Sequence, residues 1–163
     1  EPVPAVHRHD LSVPGREPRG ALEATLQITP GAQITMIVPH LGLHRRGRSR
    51  QIRRLEELVE RAETDHPLIL VGDFNEWLPW SPPLRRLRRI LQCGRTLPTF
   101  PAHRPMLALD RIWARPGSML GTLRTWSNPE TRVASDHLPL TVDVDFSRFP
   151  DVRWLNPILE RRG

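Results

Sequence analysis

The chain of 163 residues contains no lysine, no tyrosine and a single cysteine, and each absence narrows its chemistry. All 24 basic residues are arginines, so contacts with phosphate groups must come from guanidinium groups, histidines or backbone amides. Cys93 cannot form a disulfide within the chain, which favours a reducing, cytoplasmic compartment. One cysteine and scattered histidines also lack the paired spacing of a zinc site.

Long apolar runs are absent as well. No stretch approaches the roughly 20 residues that a membrane-spanning helix requires, whereas the length is sufficient for one domain with a core. The formal charge of +6 has two explanations that stay open at this point. It indicates either an anionic partner or a high-GC genome that encodes arginine in place of lysine without selection for binding.

The spacing of apolar residues predicts the secondary structure of the first half. Alternation in residues 20–29 predicts a half-buried strand, and the Pro30-Gly31 turn predicts a hairpin with a second strand at residues 34–39. Apolar residues three and four apart predict an amphipathic helix at residues 46–64 with a solvated Arg and Glu face. A buried strand at residues 67–71 would then complete a parallel crossover.

The second half is predicted from turn and cap residues. Ser81 is a suitable N-cap and Gly94 a suitable stop for a second helix. The further predicted strands are residues 107–114, 118–126 and 138–146, with loops at 95–106 and 127–134. The resulting domain spans residues 19–146, between an extended arm at residues 1–18 and a tail at residues 147–163.

The segment Leu70-Val71-Gly72-Asp73-Phe74-Asn75 ends an apolar run with a carboxylate and an amide two residues apart. On an extended strand, side chains at i and i+2 point to the same face, so Asp73 and Asn75 are predicted to reach one site. Taken alone, Asp73 after Gly72 is more typical of a turn or helix cap than of a catalytic residue. Ser135, Asp136 and His137 cannot form a hydrolytic triad, because adjacent residues of an extended chain point to different faces.

Several short motifs occur in one order along the chain. They are Pro39-His40-Leu41, Arg50-Gln51, Gly72-Asp73-Phe74-Asn75, Thr99-Phe100-Pro101, Leu109-Asp110-Arg111-Ile112 and Ser135-Asp136-His137-Leu138-Pro139. Over residues 18–146 the chain thereby resembles the endonuclease/exonuclease/phosphatase superfamily, in particular its small bacterial members. The resemblance implies a DNase I-like four-layer α/β sandwich, of which this chain would supply mainly the C-terminal sheet and its helices.

The resemblance also implies divalent-metal-dependent hydrolysis of phosphoester bonds, chiefly phosphodiesters. Asp73 would orient and deprotonate the attacking water, and Asn75 would hold that water or a phosphate oxygen. His137, oriented by Asp110, would contact the phosphoryl group, as would His40. Whether Asp73 or His137 is the general base stays open.

The same resemblance implies the metal and substrate contacts. Asp136 and Asp73 would help to hold Mg²⁺ or Mn²⁺, and Arg45 and Arg50 would bind the substrate. The substrate itself stays open between nucleic acid, a phospholipid head group and a sugar phosphate. The loops at residues 77–83, 95–106 and 127–134 would select it, and we expect their Trp77, Trp80 and Trp126 to pack on the core.

One part of the superfamily pattern is missing. The first half of these enzymes carries an Asn and a metal-binding Glu, and the sequence, which begins Glu1-Pro2-Val3-Pro4, contains neither motif. We therefore expect a C-terminal half with weak or no activity alone and an exposed inner sheet face that promotes self-association. The alternative function is a non-catalytic Arg-rich module that binds nucleic acid or anionic lipid through the helix at residues 46–64.

Overall fold

The computed structural model describes residues 5–29, 32–62, 66–78, 80–91 and 96–148. Five strands form one sheet in sequence order: β1 (Ala5–Asp10), β2 (Gly20–Thr29), β3 (Ala32–His40), β4 (Leu68–Asp73) and β5 (Asp110–Arg115). Helix α1 (Arg45–Arg61) connects β3 to the parallel strand β4, and the other neighbours are antiparallel. The predicted hairpin and parallel crossover are therefore confirmed.

The face of the sheet that packs against the helices carries the larger core and is called the outer face below. The opposite face is called the inner face. Helix α1 and helix α2 (Pro82–Ile90) pack on the outer face through fully buried residues such as Leu55 and Leu84, which cluster with Leu70 and Trp113 of the sheet. Because alternate strand residues point to opposite faces, the same strands present Ile69 and Ile112 to the inner face. The sheet is thus apolar on both sides, as a central layer requires.

The inner face is covered only in part. Residues 119–146 pack partly buried side chains over Ile34, Ile69 and Ile112. Toward the β1 edge, however, Leu22 and Val38 are 46% and 41% exposed. An exposed inner face was expected from the sequence, and self-association through it stays a prediction.

Residues 1–18 were predicted to form an extended arm outside the domain, and the structure places Ala5–Asp10 in the sheet instead. This segment is extended, but it pairs with residues 20–25 of β2 as the edge strand of the sheet. The pairing depends on backbone hydrogen bonds. Because the side chains of this edge strand are mostly polar, the sequence lacks the apolar alternation that predicts a strand. The predicted domain limits at residues 19 and 146 stay a prediction.

The C-terminal strands are shorter than predicted. Arg124–Thr125 (β6) pairs with Leu140–Thr141 (β7), and an isolated bridge joins Leu120 to Val144. The period-two pattern of residues 138–146 reflects packing against the inner face rather than a continuous ladder. The predicted loop at residues 127–134 contains a short helix, α3 (Pro129–Ala134), which begins with a capping box between Asn128 and Thr131.

Three further expectations concern single residues. Trp77, Trp80 and Trp126 were expected on the core, but they are 60%, 73% and 59% exposed, and Trp113 with Phe74 fills the core instead. Ser81 occupies the N-cap of α2 without a side-chain cap bond. Cys93, Gly94 and the tail beyond Arg148 lie outside the described residues. In the part of the chain that is described, no helix combines the length and apolar character needed to cross a bilayer.

Candidate active site

Strand register assembles the first part of the site. His40, Asp73 and Asp110 are direct neighbours across β3, β4 and β5. Paired positions on adjacent strands share a face, so the three side chains project from the inner face at one edge of the sheet. This edge contains the C-terminal ends of the parallel strands β3 and β4, where open α/β sheets place their ligands.

Gly72 permits the close approach of β3 and β4 at this edge. A Cβ atom at position 72 would collide with the carbonyl oxygen of Pro39, so no larger residue fits without a backbone shift. The approach sets His40 beside Asp73, with 3.7 Å between His40 Nε2 and Asp73 Oδ2. The glycine of the motif is therefore required by the packing of β4 against β3.

Asp73 and Asn75 meet through a turn, and the prediction that they share one face of an extended strand is wrong. Strand β4 ends at Asp73, and Asn75 has a left-handed backbone with φ of 49°. The Asn75 backbone N–H donates to Asp73 Oδ1 at 2.8 Å, and its side-chain Nδ2 donates to Asp73 Oδ2 at 2.8 Å and to the carbonyl oxygen of Leu41 at 2.9 Å. Asparagine tolerates this conformation better than most residues, and here it fixes both oxygens of Asp73.

His137 contacts Asp110, the pairing that the family resemblance implied. Its Nδ1 lies 2.7 Å from Asp110 Oδ2, and the same oxygen accepts a hydrogen bond of 2.5 Å from Thr99 Oγ1. The Leu138 N–H donates to the carbonyl oxygen of Thr99 at 2.8 Å, and the Phe100 ring lies 5.0 Å from the imidazole. The sequence analysis did not assign Thr99 or Phe100 a role, although the Thr-Phe-Pro motif marked their position.

One cavity of about 500 Å³ collects these side chains. The predicted residues that line it are His40, Asp73, Asn75, Asp110, Asp136 and His137. Arg19, Leu43 and Trp77, which were not predicted as site residues, line it as well. Arg45 and Arg50 lie elsewhere, in a separate cavity at the start of α1.

Burial and charge shift two groups in this cavity. Burial raises the pKa of Asp73, helped by the negative charge of Asp110 and opposed by the Asn75 N–H and both histidines. Burial alone would lower the pKa of His137, but the hydrogen bond and charge of Asp110, with Asp73 and Asp136, raise it above its usual value. Perturbed groups that converge in one cavity are typical of catalytic sites.

The donors in the cavity agree in kind with a hard divalent cation. Asp73 and Asp136 offer carboxylate oxygens and Asn75 an amide oxygen, which Mg²⁺ and Mn²⁺ prefer. Within the described ranges, however, no group of three or more acidic, histidine or cysteine side chains is placed to hold an ion. These residues would therefore supply part of a coordination shell and not a complete one.

A buried ion pair links two walls of the cavity and was not predicted. Arg48 Nε donates to Glu76 Oε2 at 3.2 Å, and both side chains are over nine-tenths buried. Arg48 Nη1 also donates to the carbonyl oxygen of Leu43 at 2.6 Å, while the carbonyl of Glu76 accepts a bond of 2.7 Å from Arg111. The pair thereby fixes Leu43 relative to Trp77, the neighbour of Glu76.

Comparison with known proteins identifies the family. The model of the Endonuclease/Exonuclease/phosphatase family matches residues 2–137. The chain belongs to the endonuclease/exonuclease/phosphatase family. The uncharacterised protein YbhP of Escherichia coli K12 is 33% identical over 155 residues, which cover 88% of this chain and 59% of YbhP. The chain thus spans well under two thirds of the length of the curated relatives that it matches.

Solved structures of this family share the fold at low identity. The mannosyl-6-phosphatase Bt3783 of Bacteroides thetaiotaomicron is 17% identical with a TM-score of 0.64, and the match covers 89% of this chain and 67% of Bt3783. TDP2 of D. rerio, solved with a single-strand DNA product, is 15% identical with a TM-score of 0.63 over 85% of this chain and 66% of TDP2. These likenesses establish the DNase I-like fold for this endonuclease/exonuclease/phosphatase family member.

Proposed function

We propose that this chain carries the catalytic centre of a divalent-metal-dependent phosphodiesterase. Hydrolysis of phosphoester bonds in general follows from the family. The single observation that carries the finer assignment is one cavity that holds both Asp73, fixed by Asn75, and His137, fixed by Asp110.

In-line hydrolysis needs a positioned water, a base and donors for the phosphoryl oxygens. Asp73 suits the first two tasks, because its raised pKa increases its basicity and Asn75 holds it rigid. His137 donates through Nδ1 to Asp110, which leaves Nε2 for a phosphoryl oxygen. His40, beside Asp73 and more than half exposed, would contact another oxygen of the same group.

Asn75 receives a different role from the one expected. Its side-chain N–H groups are used on Asp73 and on the carbonyl oxygen of Leu41, and the residue is 5% exposed. We therefore assign it as a positioning residue for Asp73. A divalent cation held in part by Asp136 and Asp73 would neutralise charge on the phosphoryl oxygens.

The charge of the cavity supports a diester substrate over a monoester. Three carboxylates, Asp73, Asp110 and Asp136, line it with one arginine, Arg19, which is already paired with Glu17 at 2.5 Å. A phosphodiester carries one negative charge and a monoester close to two at neutral pH. One divalent cation would offset only two of the three carboxylate charges, so the remaining repulsion penalises the diester less.

The test uses the complete protein that contains this chain, with bis(p-nitrophenyl) phosphate and Mg²⁺ or Mn²⁺. We expect turnover that is lost with a chelator and restored by either metal. His137→Ala should lower kcat by about 100-fold or more, whereas His7→Ala, on the distant strand β1, serves as the matched control. Equal activity of the two variants would refute the assignment of His137. Binding to DNA or anionic vesicles without any hydrolysis would favour the non-catalytic module.

A further inference from the structure

Two further cavities lie in a row beside the catalytic cavity, each sharing lining residues with the one before it. A small one of about 150 Å³ shares Arg19 and Leu43 with the catalytic cavity. A third, of about 590 Å³, shares Arg16, His44 and Gly47 with the small one. Shared lining residues therefore place the three cavities in a row from Asp73 to the start of α1, with Glu17 on the wall of the small one.

Positive charge is concentrated at the far end of this row. Residues 45–54 of α1 contain six arginines and no acidic residue, since the first glutamate of the helix is Glu56. The third cavity is lined by Arg16, Arg45, Arg46 and Arg50 without a carboxylate. These four side chains are called the arginine path below.

Among the helix arginines, Arg48, Arg61 and Arg86 form ion pairs with glutamates, whereas the guanidinium groups of the arginine path form none within the described residues. Within the described part of the chain none of the four lies within 4 Å of a carboxylate; Arg16 instead donates to His44 Nε2 at 3.3 Å. Farther along, Arg61 pairs with Glu57 at 3.4 Å and Arg86 with Glu60 at 2.5 Å. The interleaved charges of a solvated helix face thus describe the second half of α1 but not its beginning.

We propose that the arginine path binds phosphate groups of a nucleic-acid strand next to the phosphodiester that is cleaved. The inference rests on the proposed function and names its substrate class. An extended nucleic-acid strand carries one negative charge per phosphodiester. One phosphate can therefore lie at Asp73 while neighbouring phosphates of the same strand bind the arginines. A sugar phosphate or a single head group would fill the catalytic cavity and leave the arginines without an anion.

Two further observations favour a strand over a membrane surface. The four arginines line a cavity, whereas a bilayer surface contacts side chains that protrude. Trp77, 60% exposed on the wall of the catalytic cavity, offers an aromatic face on which a base can stack. The arginines would then position the strand without reading its sequence, which is the usual division of roles at such interfaces.

The experiment compares two triple variants of the complete protein with the same loss of charge. Arg45→Gln/Arg46→Gln/Arg50→Gln alters the path, and Arg53→Gln/Arg85→Gln/Arg89→Gln alters exposed arginines that line none of the three cavities. Binding of a fluorescent single-stranded 12-mer DNA is measured against salt, with circular dichroism to verify folding. The cleavage ratio is defined as kcat/KM for the 12-mer divided by kcat/KM for bis(p-nitrophenyl) phosphate. It separates an effect on strand binding from an effect on the chemical step.

We expect the path variant to bind the 12-mer at least tenfold more weakly than wild type at about 0.1 M salt. Its slope of log affinity against log salt should fall by about 2, since each strand phosphate contributes about 0.7. The cleavage ratio should fall at least tenfold. The control variant should keep the wild-type ratio and lose less than threefold in affinity.

Several outcomes overturn the inference. An equal loss in both variants would show a general effect of net charge, and no loss in either would show that the path does not bind DNA. Loss of binding to phosphatidylserine vesicles in the path variant, with 12-mer binding intact, would assign the path to a membrane surface. Hydrolysis of the small diester without tighter binding of the 12-mer than of dTMP refutes this inference alone. Failure to hydrolyse any diester refutes the proposed function instead, and the binding comparison still decides whether the path holds a strand.

Discussion

The catalytic cavity and the arginine path adjoin each other, yet they are built in opposite ways. In the cavity, Asp73 is held by Asn75, and His137 by Asp110, through hydrogen bonds of 2.7–2.8 Å. In the path, exposed guanidinium groups stand without a carboxylate within the described residues.

The difference corresponds to two physical tasks. Bond cleavage requires atoms held to a fraction of an ångström, whereas phosphate binding requires charge that tolerates several positions. A single substitution should therefore disable the cavity, and the path should weaken only in proportion to the charges removed. Four predictions address this contrast.

The largest effect is expected from Asp110→Asn. The amide retains the shape of the carboxylate, but it lacks the charge that orients and stabilises the protonated imidazole of His137. We expect kcat for bis(p-nitrophenyl) phosphate to fall about 100-fold or more with little change in KM. Asp143→Asn, which alters an exposed carboxylate, is the control. A KM effect without a kcat effect would contradict the positioning role.

Arg48→Ala should have the next largest effect, on stability. It leaves Glu76 buried without its partner, which costs about 3–5 kcal/mol. Chemical denaturation measures this loss, and Arg61→Ala, from an exposed pair, should cost at most about 1 kcal/mol. The double variant Arg48→Met/Glu76→Leu should recover most of the stability. The kcat of both Arg48 variants should nevertheless fall below that of wild type, because each lacks the bond that holds the carbonyl of Leu43.

Thr99→Val tests a smaller contribution to the cavity. The valine keeps the size of the threonine but removes the hydrogen bond to Asp110 Oδ2. A bond to a charged group contributes about 1.5–3 kcal/mol, so we expect kcat to fall roughly tenfold. Thr99→Ser should restore most of the activity because the hydroxyl returns. Equal kcat for the valine and serine variants would show that this bond does not position Asp110.

The smallest effect is expected from a single change in the arginine path. Arg46→Gln removes one of four similar charges, so affinity for the single-stranded 12-mer should fall about two- to fivefold and the salt slope by about 0.7. Arg85→Gln is the matched control. A loss of 100-fold from Arg46→Gln alone would show that the path is a fixed, specific pocket and would break the contrast with the cavity.

The sequence predicted the fold and the members of the cavity because the relevant signals are local. Apolar period and turn residues located β2, β3, α1 and β4, and the motif order placed His40, Asp73, Asp110 and His137 together. Strand register then made the proximity of His40, Asp73 and Asp110 a consequence of topology.

What could not be predicted depends on long-range geometry. Thr99 meets Asp110, the first residue of β5, across 11 residues of sequence, and Arg48 meets Glu76 across 28 residues. The left-handed turn at Asn75 replaced an expected extended strand, since hydrogen bonds to Asp73 outweighed the local strand pattern. Arg45 and Arg50 were expected to bind the substrate, but the fold places them in a separate cavity at the start of α1 and not in the catalytic cavity.

The central claim is that phosphodiester cleavage depends on Asp73 in this cavity. The most direct measurement compares kcat/KM for bis(p-nitrophenyl) phosphate, in Mg²⁺ and in Mn²⁺, between the complete protein and its Asp73→Asn and Asp143→Asn variants. Asp73→Asn should lose at least 100-fold while remaining folded by circular dichroism, and Asp143→Asn should match wild type. Wild-type turnover by a folded Asp73→Asn protein would contradict the account.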